Sequence, residues 1–313
     1  MVLLFVNGRI GMPYRIVYNK IRFFANYFFR GYTMEKLLIV DGSNLLFQMF
    51  YGMPARIVNA AGKPIQGTLG FVGALLKILR MVQPTHVAVV FDGECANPRR
   101  ELDPDYKANR EDLSQLPEED TPFSQLPDIF AALTCLGIPY KETSDCEADD
   151  WMARFARQFG ADREVVIVSQ DSDLFQLIDR NVKILRYRGD KTILCDENYI
   201  QEKLGIVPGR YVAFKALTGD SSDNIPGIPK IGPKTAAALI NRFGSLEAIL
   251  EGAEQIEKPS IRASVQQHRQ RALRNYRLVH LEGEGALPFS LSEMVWRGTE
   301  MTTGQVLKNI GVR

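Results

Sequence analysis

Three short apolar runs each end at or near an aspartate, a pattern that parallel strands laid side by side accommodate well. Lys36 to Val40 leads into Asp41, Thr85 to Phe91 into Asp92, and Val165 to Val168 toward Asp171. Runs this short and this continuously apolar read as strands buried on both faces, with Val182 to Leu185 as a fourth. Helical patterns lie between them at Leu69 to Met81, Asp128 to Leu136 and Asp149 to Phe159, the last ending at Gly160. Strand and helix in alternation predict a parallel sheet with helices on both faces. Ligands of open α/β sheets bind beyond the carboxyl ends of the strands, where all three aspartates fall. One such aspartate is an ordinary turn or N-cap residue; three in register are better explained by a shared site.

The stretch from Ser144 to Asp173 concentrates that charge. Glu147, Asp149, Asp150, Asp171 and Asp173 bracket one helix and one strand. Two like charges about 4 Å apart repel by roughly 4 kcal/mol at an effective dielectric near 20, so the group either repels itself or holds a cation. Oxygen ligands without a His or Cys pair suit Mg²⁺ or Mn²⁺. Glu147 and Asp150 share a helix face, while Asp149 is turned about 100° away. Ser144 and Glu147 also fit a capping box, the plain structural alternative for Glu147. Asp220 and Asp223, again three apart, bring the acids in such positions to nine. Nine exceed the needs of one ion and fit two, which together can activate a water and stabilise the leaving oxygen of a phosphodiester. His86, His268 and His280 belong to no nucleophile motif, and no acid group has the spacing of an EF-hand.

With 313 residues and a globular composition the chain can form one large domain or two. Cys95, Cys135, Cys146 and Cys195 stand far apart, which points to reduced thiols in a cytosolic setting and away from zinc. No window reaches the length of a membrane span. The net charge of +1 is unevenly spread: Arg9, Arg15, Lys20, Arg22 and Arg30 fall in residues 1–33 without an acid, so the remainder is net acidic. That aromatic, basic extension has three readings: a transit peptide, an interfacial helix, or a start codon placed upstream of the true one.

Residues 95–127 interrupt the alternation. Asn97 to Arg110 is charged and punctuated by prolines, and more of both follow to Pro127. A loop this long is functional, disordered or simply solvated. Lys107 and Arg110 would share a face if the segment became helical, and both could reach phosphates. A second unit begins near Pro208 with a helical pattern over Gly209 to Thr218. The sequence from Ile225 to Ala236, rich in Gly and Pro, then a helix to Phe243 and another from Ser245, is the pattern of a helix-hairpin-helix. Gly227 and Gly232 permit the tight hairpin, Pro233 suits the first helical turn, and outward amides there take a phosphate oxygen. Such an element reads backbone and not bases. Pro259 to Leu281 carries Arg262, Arg269, Arg271, Arg274 and Arg277 without an acid. That is a solvated basic face or, beside the hairpin, a DNA-tracking surface. Residues 282–313 carry no signal.

In order along the chain stand Val-Asp-Gly-Ser-Asn (40–44), Phe-Asp-Gly (91–93), Asp-Tyr-Lys-Ala-Asn-Arg (105–110), Glu-Ala-Asp-Asp (147–150), Ser-Gln-Asp-Ser-Asp-Leu (169–174), Gly-Asp-Ser-Ser-Asp-Asn-Ile-Pro-Gly (219–227) and Ile-Gly-Pro-Lys-Thr-Ala (231–236). With these motifs the chain resembles the 5′ nuclease (flap endonuclease) superfamily over about residues 35–285. It is most similar to the bacterial 5′-3′ exonucleases and to the 5′ nuclease domain of bacterial DNA polymerase I. The resemblance implies a PIN-like α/β fold with a helical arch, a helix-three-turn-helix element and a two-metal site. Asp41, Asp92, Glu147, Asp149, Asp150, Asp171, Asp173, Asp220 and Asp223 match the family's metal-ligand positions. Lys107 and Arg110 match arch residues that contact the scissile phosphate. Tyr106, Gly227, Ile231, Gly232, Lys234, Thr235, Arg269, Arg271 and Arg274 are the expected DNA contacts, and the hairpin around Gly227 to Gly232 is implied to bind K⁺ through backbone carbonyls. Two departures stand out: residues 1–33 have no counterpart, and no polymerase domain follows, as in a stand-alone exonuclease. Some stand-alone members lack part of the second metal's ligand set; Asp220 and Asp223 are both present here, so full activity is expected.

The expectation is therefore an α/β, PIN-like parallel or mixed sheet with helices on both faces over residues 34–207, an arch at about 95–127, and a helical helix-hairpin-helix domain over 208–313. The expected function is that of a cytoplasmic, nucleoid-associated monomer that uses Mg²⁺ or Mn²⁺ to hydrolyse DNA at 5′ flaps, 5′ ends or nicks. Two alternatives stay open: a DNA-binding repair scaffold without catalysis, and a PIN-type ribonuclease that removes primers from RNA-DNA hybrids.

Overall fold

Leu, Ile and Val fill the central strands, and β1 (Lys36–Asp41) and β2 (His86–Phe91) are buried at every position. The structure, a computed structural model, describes residues 34–93, 98–110, 113–144, 146–283 and 285–312. The extension at 1–33 and the parts of the expected arch at 94–97 and 111–112, with Cys95, lie outside the described residues. The sheet is completed by β3 (Tyr140–Glu142), β4 (Glu164–Val168), β5 (Val182–Arg186) and β6 (Ile193–Cys195), in the order β3, β2, β1, β4, β5, β6. Every pairing is parallel except β5 with β6. Val40 stands beside both Val89 and Val168, so the three runs finish level and deliver Asp41, Asp92 and Asp171 to one edge.

The helices of this half are α1 (Gly42–Gly52) and α2 (Gln66–Val82) after β1, α3 (Pro98–Leu102) after β2, α4 (Leu126–Leu136) before β3, α5 (Ala148–Phe159) before β4, and α6 (Glu197–Leu204) after β6. Alternation along the strands sorts them onto two faces. Leu38, Val40, Val87 and Val89 pack with residues of α1, α2 and α4, while Leu37, Ile39, Val165 and Ile167 pack with α5. The second half consists of α7 (Tyr211–Thr218), a two-residue ribbon of β7 (Gly219–Asp220) and β8 (Ile225–Pro226), then α8 (Pro233–Phe243), α9 (Leu246–Glu251), α10 (Pro259–Gln267) and α11 (Arg269–Val279). It shares the α5 face: one apolar cluster runs from Ile39 and Phe155 through Phe214 and Ile240 to Val265 without a break. Residues 35–313 accordingly form one compact unit.

Four of the sequence expectations change in detail. Helix α1 was not anticipated, because only Gly42, Leu45 and Leu46 of it are buried and no apolar stripe shows. The strands β3 and β6 are three residues each, too short for a periodic signal. Among the described residues the expected arch is not one helix but α3 followed by turns and three 3₁₀ segments at Leu113–Gln115, Glu118–Asp120 and Pro122–Gln125. The segment after 282 is structured: Trp296 N–H donates to Thr85 O at 2.8 Å, and α12 (Thr303–Asn309) buries Val306 in the α2/α4 cluster and Leu307 against Ile65 and Val312.

Leu307→Ala is expected to lower global stability by about 2–5 kcal/mol in urea unfolding, the usual cost of emptying a buried leucine site. An unchanged midpoint would show that α12 is not part of the folded core.

Candidate active site

The carboxyl edge of the sheet carries two sets of acids that differ in how their charge is met. Asp41 caps α1, accepting from Asn44 N–H at 2.9 Å and from the Ser169 hydroxyl at 2.7 Å. Its carboxyl is nonetheless pushed up to about 7 by burial and by Asp92. Asp149 has no hydrogen-bond partner among the described residues, and burial followed by Asp171, Asp41 and Asp92 holds its pKa well above the usual carboxylate range. Burial likewise raises Asp171, which accepts the Asp173 N–H at 2.8 Å. Asp173 rises to about 7 through burial, against the pull of Lys215. Its Oδ1 accepts no hydrogen bond, and the Lys215 ammonium stands 3.3 Å away. Asp92 is exposed and accepts from Ala148 N–H at 2.9 Å, at the head of α5.

The other set is met by cations. Burial pushes the Glu147 carboxyl upward, but Lys107 at 2.5 Å and Arg99 at 2.7 Å outweigh it and hold its pKa below the usual value. Asp150 receives both arms of Arg99, at 2.8 and 3.0 Å, and a backbone N–H from Glu282 at 3.0 Å. Arg110 pairs with Asp223 at 2.9 Å. Asp220 is gripped by Lys215 and by the Ser222 hydroxyl and amide, which together outweigh burial and lower its pKa. Lys107 and Lys215 are both held above their ordinary pKa because their carboxylate partners outweigh burial.

The arch motif is docked on the turn between β7 and β8. Lys107 N–H donates to Asp223 O at 3.0 Å, Asn224 Nδ2 to Asp105 O at 2.8 Å, and Asn109 Nδ2 to Ser221 O at 2.9 Å. Lys107 and Asn224 adopt φ of 56° and 57°, left-handed values uncommon for such residues and of the kind found at functional sites. Gly227 makes the ribbon possible, since a Cβ there would sit 2.3 Å from Thr218 O.

Asp171 pushes up Asp41, Asp149 and Asp173, Asp92 pushes up Asp41 and Asp149, and Asp220 and Asp223 push up Asp171 and Asp173. Among the described residues no three His, Cys, Asp or Glu side chains are gathered as a ready-made ligand cluster. Some of the expected site residues have protein partners that the sequence does not announce. Asp150, expected at the metal, accepts from Arg99 with both oxygens. Lys107 and Arg110 do not share a helix face but reach different acids, Glu147 and Asp223. Tyr106, expected at the DNA, is 4% exposed, and its one hydroxyl proton is shared between Glu147 and Asp223, each 3.3 Å away. Of the expected DNA contacts, Gly232 and Lys234 lie exposed at the start of α8, where no side chain caps the helix. Ile231 buries its side chain, leaving only its backbone to offer. Arg269, Arg271 and Arg274 are tethered to Leu250 O, Gly227 O and Asp103 respectively.

The residues that the sequence reading missed are the cations and amides behind the acids: Arg99, Lys215, Gln170 and Gln176. Lys215 was legible as a lone charge among Val212, Phe214 and Leu217 in α7. Gln170 has all four polar groups engaged, by Asn44, Tyr187, Arg186 and Arg188, and so fixes the loop that carries Asp171. Nothing local marks it.

The buried Asp173 Oδ1, which accepts no hydrogen bond, and the half-buried Asp149 carboxylate fit a hard divalent cation, which needs oxygen ligands and offsets their repulsion. Fold and site together define a class: α/β proteins that gather carboxylates at the carboxyl edge of a parallel sheet and follow it with a hairpin-bearing helical unit. Family models agree, with the 5′-3′ exonuclease N-terminal resolvase-like domain matching residues 36–205 and the 5′-3′ exonuclease C-terminal SAM fold matching 206–302. The chain belongs to the 5′-3′ exonuclease family, and the expected PIN-like sheet with a helical second unit is its fold. It is 38% identical over 269 residues to DNA polymerase I of Rhizobium leguminosarum, and 34% identical over 273 residues to that of Bacillus caldotenax. Those matches cover 83% and 85% of this chain but only 26% and 30% of the polymerases. The crystal structure of the T5 D15 protein with metal ions superposes with a TM-score of 0.66 at 25% identity, covering 79% of this chain and 90% of that one.

The raised acids fix the sign of a pH effect. A carboxyl whose folded pKa exceeds its unfolded value contributes stability at low pH that is lost as pH rises through the folded pKa, here about 7 for Asp41 and Asp173. Glu147 and Asp220, both lowered, act in the opposite sense on acidification. Asp41→Asn is expected to stabilise the metal-free protein at pH 8 by on the order of a few kcal/mol, and to flatten the decline between pH about 4 and 7. Chemical unfolding across that range in EDTA checks it; parallel curves for the variant and the parent would refute it.

Proposed function

We propose that this chain hydrolyses DNA phosphodiesters at 5′ ends and 5′ flaps with the help of two divalent cations, Mg²⁺ or Mn²⁺. The observation that carries the reading is the convergence of Asp41, Asp149, Asp171 and Asp173, from three separate segments, into one field that no neighbouring cation fully offsets. Such ions supply an activated water and neutralise the leaving 3′ oxygen. Asp149, Asp171 and Asp173 are the residues to hold them, with Asp41 and Asp92 alongside. Glu147, Asp220 and Asp223 are already paired to the protein's own cations and complete the set from the outside.

Lys107 and Arg110 are the cations for the scissile phosphate, because their present partners hold them at the same edge. The uncapped start of α8 and the arginines along α11 grip the sugar-phosphate backbone without reading sequence. K⁺ at the Gly227 to Gly232 turn belongs to the same proposal and rests on family resemblance. The T5 D15 flap endonuclease, whose structure with DNA and metal ions shares the fold at 22% identity and a TM-score of 0.65, is consistent with a DNA substrate.

A labelled 5′-flap duplex, made with the 5′ strand as DNA or as RNA, tests the proposal. Mg²⁺-dependent cleavage abolished by EDTA, by Asp149→Ala and by Asp171→Ala is expected, with duplex binding retained. Duplex binding without cleavage in any metal would leave a repair scaffold, and preference for the RNA strand would favour primer removal. Lys107→Ala is expected to lower kcat by about 10²-fold or more while leaving duplex affinity nearly unchanged, as for loss of one charge aimed at the transition state; unaltered single-turnover rates would remove Lys107 from the reaction.

A further inference from the structure

Helices usually close with local groups, a glycine in the left-handed region or water at the last carbonyls. The basic helix α11 closes differently. Across five consecutive residues, each offers one backbone group to a side chain of the catalytic half. Leu278 O accepts from Arg99 Nε at 3.0 Å and His280 O from Arg99 Nη2 at 3.2 Å. Val279 O accepts from Gln176 Nε2 at 2.9 Å, and Leu281 N–H donates to Gln176 Oε1 at 3.0 Å. Glu282 N–H donates to Asp150 Oδ1 at 3.0 Å. None of the three side chains belongs to the second half of the chain, and each is tied to the acidic edge. Arg99 is buried and spends its remaining donors on Glu147 and Asp150. Gln176 also donates to the carbonyl of Asp173, at 2.9 Å. Asp150 sits one residue after Asp149 in α5.

Resting on the reading of the chain as a 5′ nuclease, we propose that Arg99, Gln176 and Asp150 form a register clamp. They fix the offset between the duplex gripped along α11 and the bond presented to Asp149, Asp171 and Asp173, and so determine which phosphodiester is cut. They are positioning residues: they hold backbone and other side chains and touch no reacting atom. The choice of arginine follows from its chemistry, since five N–H groups in a planar fork serve two carboxylates and two carbonyls at once, which an ammonium cannot do. A helix carrying Arg269, Arg271, Arg274 and Arg277 is thereby rigidly joined to the acids, without a flexible linker between grip and cut.

The test uses the full chain on one end-labelled 5′-flap duplex with Mg²⁺, read at single-nucleotide resolution, together with hydrogen exchange at residues 278–282. The parent is expected to cut one bond predominantly. Arg99→Lys and Gln176→Ala, confirmed folded by thermal unfolding, are expected to spread cleavage to adjacent bonds several-fold more often and to speed exchange of the Leu281 and Glu282 amides. Arg99→Met should do so more strongly; if it does not fold, the two milder variants carry the test. Folded variants that cut the parental bond with the parental distribution would overturn the proposal, even at a reduced rate, because slower cutting alone is what a merely structural role predicts. A parent that cuts nothing would sink the nuclease reading instead, and exchange at 281–282 unchanged by Gln176→Ala would then refute the clamp on its own terms.

Discussion

Mutual repulsion among acids at one sheet edge is the constraint around which this molecule is arranged. The strands bring the acids together because their register is set by apolar burial, which is indifferent to the charge carried at each strand's end. Val40 beside Val89 and Val168 leaves Asp41, Asp92 and the Asp171 loop nowhere else to go. The fold meets the resulting charge in two ways. On the outer side Arg99, Lys107, Arg110 and Lys215 pair with Glu147, Asp150, Asp223 and Asp220. On the inner side burial, and after it the neighbouring acids, raises the pKa of Asp41, Asp149, Asp171 and Asp173.

That division explains why the two halves of the chain share one core. Two of the ionic contacts cross between the halves, Arg110 with Asp223 and Lys215 with Asp173, so each half supplies a charge that the other answers. Breaking one partner of a buried pair typically costs about 3–5 kcal/mol, because the survivor stays buried without compensation. The apolar continuity from Ile39 to Val265 and the ionic contacts across the same boundary therefore act together: neither half can move away without exposing oily surface and stranding charge. The left-handed backbone at Lys107 and Asn224 is tolerated because Asp105 O, Ser221 O and Asp223 O bind both sides of the junction.

Much of this was legible in the sequence, and the part that was not has a physical reason. Continuous apolar runs gave the strands, and the residues that end them gave the edge. Helix geometry separated Glu147 and Asp150 from Asp149, but it did not show that the two faces meet different partners. The shared face of Glu147 and Asp150 meets Arg99, whereas Asp149, turned away from it, meets Asp41 and Asp171. No sequence rule distinguishes Arg99, buried at 7%, from the exposed Arg100 beside it, because the difference is made by residues 278–282 far along the chain. The same holds for α12, whose Val306 and Leu307 carry no period long enough to announce a helix and are placed only by the pocket they fill.

Charge balance then narrows what the inner edge can accept. Asp41 and Asp173 are buried and Asp149 and Asp171 half-buried, and the ammonium groups that act on them, Lys215 and Lys107, hold their tighter contacts with Asp220 and Glu147. Protonation can settle such a group, but it leaves acids that can no longer bind a cation. Monovalent cations would have to fill the edge one per acid, in a space where each added ion also repels the last. A divalent ion offsets twice the charge of a monovalent one at a single site, and oxygen ligands are what such ions prefer. Asp92, exposed to water, can join without adding to the buried deficit. On the proposed reading the inner edge is where divalent cations would be held, while Glu147, Asp220 and Asp223 keep the protein's own cations around it.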